Sequence, residues 1–205
     1  CSCLGGLLLQ RRAELVPGDT LRKARKAVDS LDAEQQAARD AARAGVDLIY
    51  HASYMDDEAL DAVVETGSAM CPTFTLLGNL ADYGEKVGTA PELLDVFRAE
   101  IEVTSKQLTK AHAAGVRFLT GSETGFAVTP VGEWHARELE MFVDYMDMSP
   151  MQAIAAATRN GAFAMRMEDD LGTLEHGRIA DVLVIDGDPL ADVRILQDKT
   201  RIAEV

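Results

Sequence analysis

Cysteine is scarce in this chain. Three in 205 residues are too few for the disulfide framework that holds small secreted domains together. Cys71 lies in an apolar run and reads as a small buried hydrophobe, while Cys1 and Cys3 lack the companion pair that a zinc site would need. Long apolar runs are missing too: Leu7-Leu8-Leu9 ends before Arg11 and Arg12, far short of the roughly 18 residues of a membrane span. The first residues also lack the basic start and longer apolar centre of a secretory signal. Basic charge is in short supply, with 20 Lys and Arg against 34 Asp and Glu and a net charge of −14. Such a surface repels phosphate backbones and argues against a nucleic-acid partner. No glycine-rich loop follows a strand-like run, which weakens a phosphate- or nucleotide-binding reading. These absences lead us to expect a soluble, cytoplasmic protein that meets a small-molecule substrate and neither nucleic acid nor membrane.

What is present is ample apolar material, 47% of the residues, and a repeated local grammar. Residues 114 to 125, Ala-Gly-Val-Arg-Phe-Leu-Thr-Gly-Ser-Glu-Thr-Gly, run from a helix-ending glycine through an apolar strand into a small-residue turn carrying Glu123. Residues 44 to 53, Ala-Gly-Val-Asp-Leu-Ile-Tyr-His-Ala-Ser, repeat the order of events and deliver His51. Helix, glycine, apolar run and functional group form a β/α unit, whose active side chains gather at the carboxyl ends of parallel strands. His51 and Glu123 are therefore expected on one rim of a parallel sheet or barrel.

The intervening text is regular. Residues 1–31 carry no periodic apolar face and read as solvated chain, with room for a short helix over 20–29. Asp32 reads as the cap of a helix to Ala44, and Asp56 as the cap of a second, with Met55 and Leu60 as its staple and Leu60, Val63 and Val64 on its inner face. A strand over 69–76 and a loop over 78–90 follow, then a helix from Pro91 with Leu94, Phe97, Ile101 and Leu108 on one face. The loop 124–132 is expected to cover the site. Leu139, Phe142, Val143 and Met146 trace a further helix, in which His135 is expected, and Ser149-Pro-Met-Gln152 is a capping box opening a helix to about Met165. Met141, Met146, Met148, Met151, Met165 and Met167 read as packing residues. Beyond them Asp181–Ile185 reads as a buried strand and Asp186-Gly187 as a hairpin turn, in a small all-β annex. The chain opens without methionine and closes on the strand-like Arg-Ile-Ala-Glu-Val205, so both ends read as cut.

Five stretches together resemble the carboxyl half of the metal-dependent amidohydrolases, in their imidazolonepropionase-like and prolidase-like branch. They are Leu-Ile-Tyr-His51, Cys71-Pro-Thr73, the turn at 114–125, Gly132-Glu-Trp-His-Ala-Arg-Glu-Leu-Glu140, and the run Leu171-Gly-Thr-Leu-Glu-His-Gly-Arg-Ile-Ala-Asp-Val-Leu-Val-Ile-Asp-Gly-Asp-Pro-Leu190. The resemblance implies an α/β fold made of the last three β/α units of a TIM-like barrel over 32–167, then part of a β-sandwich over 168–205, with 1–31 unassigned. It implies that His51 is a metal ligand on the sixth strand and that Glu123 is the eighth-strand carboxylate, which holds metal and carries a proton. The implied cofactor is a divalent metal, zinc by donor type. The implied activity is hydrolysis of a C–N bond in an amide, cyclic amide or dipeptide.

The chain departs from the family pattern at several positions. Aspartate is usual where Glu123 stands, and the four histidines, His51, His112, His135 and His176, contain no His-x-His pair. Where the resemblance calls for a fifth-strand histidine the chain has Asp29, Ser30 and Leu31. Two ligands are fewer than the three protein ligands of a catalytic zinc. The expectation is accordingly a truncated, catalytically incomplete hydrolase; the alternative is a non-catalytic remnant or structural subunit that keeps the fold without a metal centre. For single residues the bland readings stand beside the sharp ones. Lone strand-end histidines are more often structural, and Glu123 could cap a turn. Tyr54, Thr124 and His135 are candidate substrate contacts, whereas His112 suits the negative end of a helix and His176 reads as turn chemistry. Three strands cannot close an eight-stranded barrel, so open edges make homo-oligomerisation or aggregation an expectation.

Overall fold

The computed structural model describes residue 33 and residues 35–205. The expectations for residues 1–31, for Cys1 and Cys3, and for Asp32 as a cap lie outside the described residues. Helix α1 covers residues 35–43 and stops at Gly45, whose φ of 78° turns the chain into β1 (Leu48–Tyr50). Asp56 caps α2 (Asp57–Thr66), its carboxylate accepting from the Ala59 amide at 2.7 Å, and Met55 and Leu60 are both buried. Val64 is exposed rather than on the inner face; it lies about 100° round the helix from Val63, just off the buried stripe. Gly67 ends α2 and leads to β2 (Ala69–Cys71).

Strands β1 and β2 pair in parallel, Leu48 against Ala69, Ile49 against Met70 and Tyr50 against Cys71. Phe118 adds a third parallel rung on the far side of β2. The Met70 amide donates to the Arg117 carbonyl and the Leu119 amide to the Met70 carbonyl, both at 2.8 Å. This is the α/β arrangement expected, parallel strands joined by helices; no closed barrel is present among the described residues.

Strand β2 stops well short of Leu76, for a local reason. Pro72 has no amide to extend the ladder, Thr73 turns to φ 58°, and Phe74 begins α3 (Phe74–Tyr83). This helix and a 3-10 turn over Gly84–Val87 occupy most of the stretch expected to be loop. Pro91 opens α4 (Pro91–Ala113), which buries Leu94, Phe97, Ile101 and Leu108 as its spacing predicts. Helix α5 (Arg137–Tyr145) buries Leu139, Met141 and Phe142, and the Phe142 ring meets Phe118 edge-on with centroids 6.2 Å apart. The Ser149–Gln152 capping box opens α6 (Pro150–Ala157). That helix does not run on to Met165. It breaks at Thr158, whose hydroxyl donates to the Ile154 carbonyl at 2.8 Å, and α7 (Arg159–Ala164) follows. Met141, Met146 and Met148 are buried, but Met151 is exposed, because α6 turns Ala153 and Ala156 to the core instead, and Met165 is exposed just past the end of α7.

The last segment is less β-like than expected. Strand β3 is only Val184–Ile185, and Val182, Leu183 and Val184 are exposed. An apolar run of this kind is covered by a second sheet, and among the described residues β3 has only its antiparallel partner β4 (Ile202–Glu204). Asp186-Gly187 closes no hairpin, since 3-10 turns over Val193–Gln197 and Lys199–Arg201 separate the two strands. The segment is fastened to the body by Val193, buried in the main core, and by Arg194, which donates to Glu140 at 3.2 Å and to Asp144 at 2.6 and 2.8 Å.

Candidate active-site rim

Each of the three parallel segments ends in a left-handed residue on the same side: His51 (φ 69°), Thr73 (φ 58°) and Glu123 (φ 47°). Such backbone is uncommon outside glycine and strained for a β-branched residue, so Thr73 must be held there by its surroundings. The His51 amide makes one more rung beyond β1, donating to the Cys71 carbonyl at 2.9 Å. Its ring lies against Thr73, with Nδ1 2.6 Å from the hydroxyl, and that hydroxyl is 2.7 Å from the Pro72 carbonyl.

The third segment passes over the same residue. A Cβ on Gly121 would lie 2.9 Å from Thr73 Cγ2 and 2.5 Å from Cys71 Sγ, so only glycine allows the chain to cross the end of β2. Glu123 follows two residues later, half-buried, its carbonyl accepting from the Thr129 hydroxyl at 3.0 Å. The structure thus brings His51, Thr73 and the turn bearing Glu123 to one rim. The segments carrying His51 and Glu123 lie on the two sides of β2.

Beneath Thr73 lies Glu138, fully buried. Its Oε1 accepts from the Phe74 amide at 2.9 Å, and its Oε2 accepts from the Thr75 amide and the Thr75 hydroxyl, both at 2.7 Å. It therefore satisfies the amides that open α3 and would otherwise be orphaned. Burial pushes its carboxyl up to about 7 against the pull of the Thr75 hydroxyl and the surrounding amides. Burial also pushes the Cys71 thiol up to about 12, with the charge of Glu138 adding to the effect, which makes Cys71 inert as a nucleophile. Sequence reasoning gave no role to Thr73 or Glu138. The signal for Glu138 was a carboxylate four residues before Phe142, on the helix's apolar stripe.

The other candidates are more scattered. Tyr54 is half-buried in the turn after His51, and Thr124 is exposed beside Glu123. His135 is not in a helix: it stands exposed in the turn before α5, next to Trp134, whose ring packs on Tyr83 with centroids 5.3 Å apart. His112 is in the last turn of α4, edge-on to Phe118 at 6.3 Å, as expected of a structural residue. Loop 124–132 is tied down at Val128, whose carbonyl accepts from the Asn79 side chain at 2.8 Å. Two clefts of about 200 and 380 Å³ open elsewhere, near Ser68, Val116 and Phe163 and near His112, Phe118 and Asn160. Neither is lined by His51 or Glu123.

Residues 22–205 match the amidohydrolase family. The chain belongs to that family. Ochratoxinase from Aspergillus niger is 30% identical over 167 residues, covering 80% of this chain and 33% of the enzyme. An imidazolonepropionase from Desulfotalea psychrophila is 40% identical over 43 residues, 21% of this chain and 10% of that one. The crystal structure of a Xaa-Pro dipeptidase with methionine bound in its active site superposes with a TM-score of 0.65 at 30% identity, over 80% of this chain and 39% of that one. The chain therefore spans about a third of the length of the ochratoxinase. The expected family and its imidazolonepropionase- and prolidase-like relatives are borne out.

Amidohydrolases are generally metal-dependent, and the donors at this rim can be tested against that requirement. An imidazole whose Nδ1 is occupied by Thr73 and a half-buried carboxylate are the right donor types. Their number falls short: among the described residues no group of three or more His, Cys, Asp or Glu side chains is placed to hold a metal ion.

Proposed function

We propose that this chain forms the last three β/α units of an amidohydrolase barrel, whose activity is metal-dependent hydrolysis of a C–N bond in an amide, cyclic amide or dipeptide. His51 and Glu123 are its contribution to the metal centre. The observation that carries this reading is the convergence on Thr73: its hydroxyl meets His51 Nδ1 at 2.6 Å while its methyl lies beneath Gly121, two residues before Glu123. In that arrangement His51 offers its remaining ring nitrogen to the rim, and Glu123 is the group able to take a proton and return it to a leaving nitrogen. Tyr54 and Thr124, adjoining the two, are assigned to substrate contact, with His135 as a third from the loop before α5. Zinc chemistry uses about three protein ligands, so hydrolysis by this chain alone is expected to be weak or absent.

Elemental analysis after gentle purification from zinc-replete medium tests the reading. Near-stoichiometric zinc that falls at least tenfold in His51→Ala and in Glu123→Ala supports it. A chain that neither retains nor takes up zinc supports the second reading, a non-catalytic relative, which rests on the donor count. Substrate trials begin with those named by the relatives, an Xaa-Pro dipeptide and ochratoxin.

A further inference from the structure

We propose that Thr73 sets the tautomer of His51, holding the ring in its Nδ1–H form so that Nε2 presents a bare lone pair at the rim. The inference deepens the reading of His51 as a metal ligand, although the hydrogen-bond geometry that supports it is independent of any metal.

The number of hydrogens at Thr73 decides the tautomer. A threonine hydroxyl has one hydrogen and two lone pairs. The Thr73 oxygen has two close polar neighbours, the Pro72 carbonyl at 2.7 Å and His51 Nδ1 at 2.6 Å. If the hydrogen points to Pro72, the oxygen is free to accept from Nδ1–H, and both short contacts are hydrogen bonds. If it points to Nδ1, two oxygens face each other with lone pairs at 2.7 Å, and the carbonyl of buried Pro72 loses this donor. The first arrangement satisfies both contacts and the second only one. A neutral imidazole carries a single ring hydrogen, so Nδ1–H leaves Nε2 unprotonated. This is how a histidine is readied for a cation, with one nitrogen bare and the other held by a protein acceptor.

Thr73 can perform this role because it cannot swing away. Its φ of 58° is a conformation threonine avoids, and Glu138 fixes it by clamping the next two amides at 2.9 and 2.7 Å. Gly121 closes over its methyl on the other side. Thr73 is thus a positioning residue acting through His51, with Glu138 acting through Thr73.

Long-range ¹⁵N–¹H correlation spectra of the ¹⁵N-labelled full chain near pH 8, where an ordinary imidazole is neutral, read the tautomer directly, with His51 assigned by the signals lost in His51→Gln. The expected spectrum has a protonated Nδ1 and an unprotonated Nε2. Thr73→Val should shift His51 roughly tenfold towards Nε2–H, the change that losing one hydrogen bond of about 1.4 kcal/mol produces. Thr73→Ser, which keeps the hydroxyl, should restore the native pattern. An Nε2–H signal in the unmodified chain overturns the proposal without any variant, and so does a Thr73→Val spectrum identical to the native one. Zinc titration of the same samples separates the two readings. An Nδ1–H ring in a chain that binds no zinc leaves the inference standing and removes the metal assignment. Zinc binding that depends on His51 with the opposite tautomer does the reverse.

Discussion

At Gly121 a single methyl group decides whether two segments can meet. An alanine there would put Cβ 2.5 Å from Cys71 Sγ and 2.9 Å from Thr73 Cγ2, closer than packed carbon and sulfur atoms approach. Both contacts are to short, buried side chains that cannot swing aside. Gly121→Ala should therefore destabilise the chain by roughly 1–3 kcal/mol, the usual range for overpacking, seen as a lowered urea midpoint. Cys71→Ala in the same chain removes the sulfur and should recover part of the loss, a coupling that a double-mutant cycle measures. Equal losses with and without the sulfur would show that the crossing is not where the strain arises. The Cys71 thiol gives a second residue-level expectation. Pushed up to about 12 and buried, it should resist iodoacetamide in the native chain at about pH 8 and react freely in urea. Peptide mass spectrometry of the Cys71 fragment reads the difference; rapid native labelling would mean that the rim opens on that timescale.

Among the helices, the contrast is between local and distant caps. Asp56 at α2, Pro91 at α4 and Ser149 at α6 lie within a few residues of the helix they start, and all three starts could be read from the sequence. The start of α3 could not, because its amides are satisfied by Glu138, 63 and 64 residues downstream. Its interior, Gly78-Asn79, also carries weak helix formers. The same distance hid Thr73: the motif Cys71-Pro-Thr73 looks like continuing strand until the carboxylate that bends it is known. His51 and Glu123 were legible because each follows its own glycine and apolar run.

The two kinds of cap should differ in energy. Ser149→Ala removes an exposed cap and should cost about 1 kcal/mol. Glu138→Ala leaves two buried amides without partners and should cost roughly 2–4 kcal/mol. Titration adds a sign. With its carboxyl raised from 4.5 to about 7, Glu138 holds its proton longer in the folded chain than in the unfolded one. Stability from this group is then greatest at low pH and declines as pH rises from 4.5 to about 7, levelling off above. Exposed carboxylates such as Asp57 and Asp198, whose pKa values are lowered by Lys110 and Thr200, act in the opposite sense. The difference between the unmodified chain and Glu138→Gln in urea melts across that range isolates the term, and a flat difference would contradict it.

For the molecule as a whole, two forces compete over association. Strand β1 has a partner on one edge only among the described residues, and Tyr50 on it is 60% exposed. An open edge offers unpaired backbone groups to a second copy. Against this stands a net charge of −14, which makes copies repel at distances beyond contact. The repulsion is long-ranged and screened by salt, with a Debye length of about 10 Å at 0.1 M; strand pairing and apolar contact are short-ranged and are not weakened by it. Raising salt from about 0.05 to 0.5 M should therefore increase self-association, seen as a rising, concentration-dependent sedimentation coefficient. Tyr50→Lys places a charge on the edge and should suppress the rise, whereas Leu183→Lys, on the exposed apolar run beside β3, separates this edge from the other surface able to drive contact. If salt lowers association, ion pairs between copies dominate; if only Leu183→Lys suppresses it, the contact lies at β3, where an apolar run has no covering sheet among the described residues.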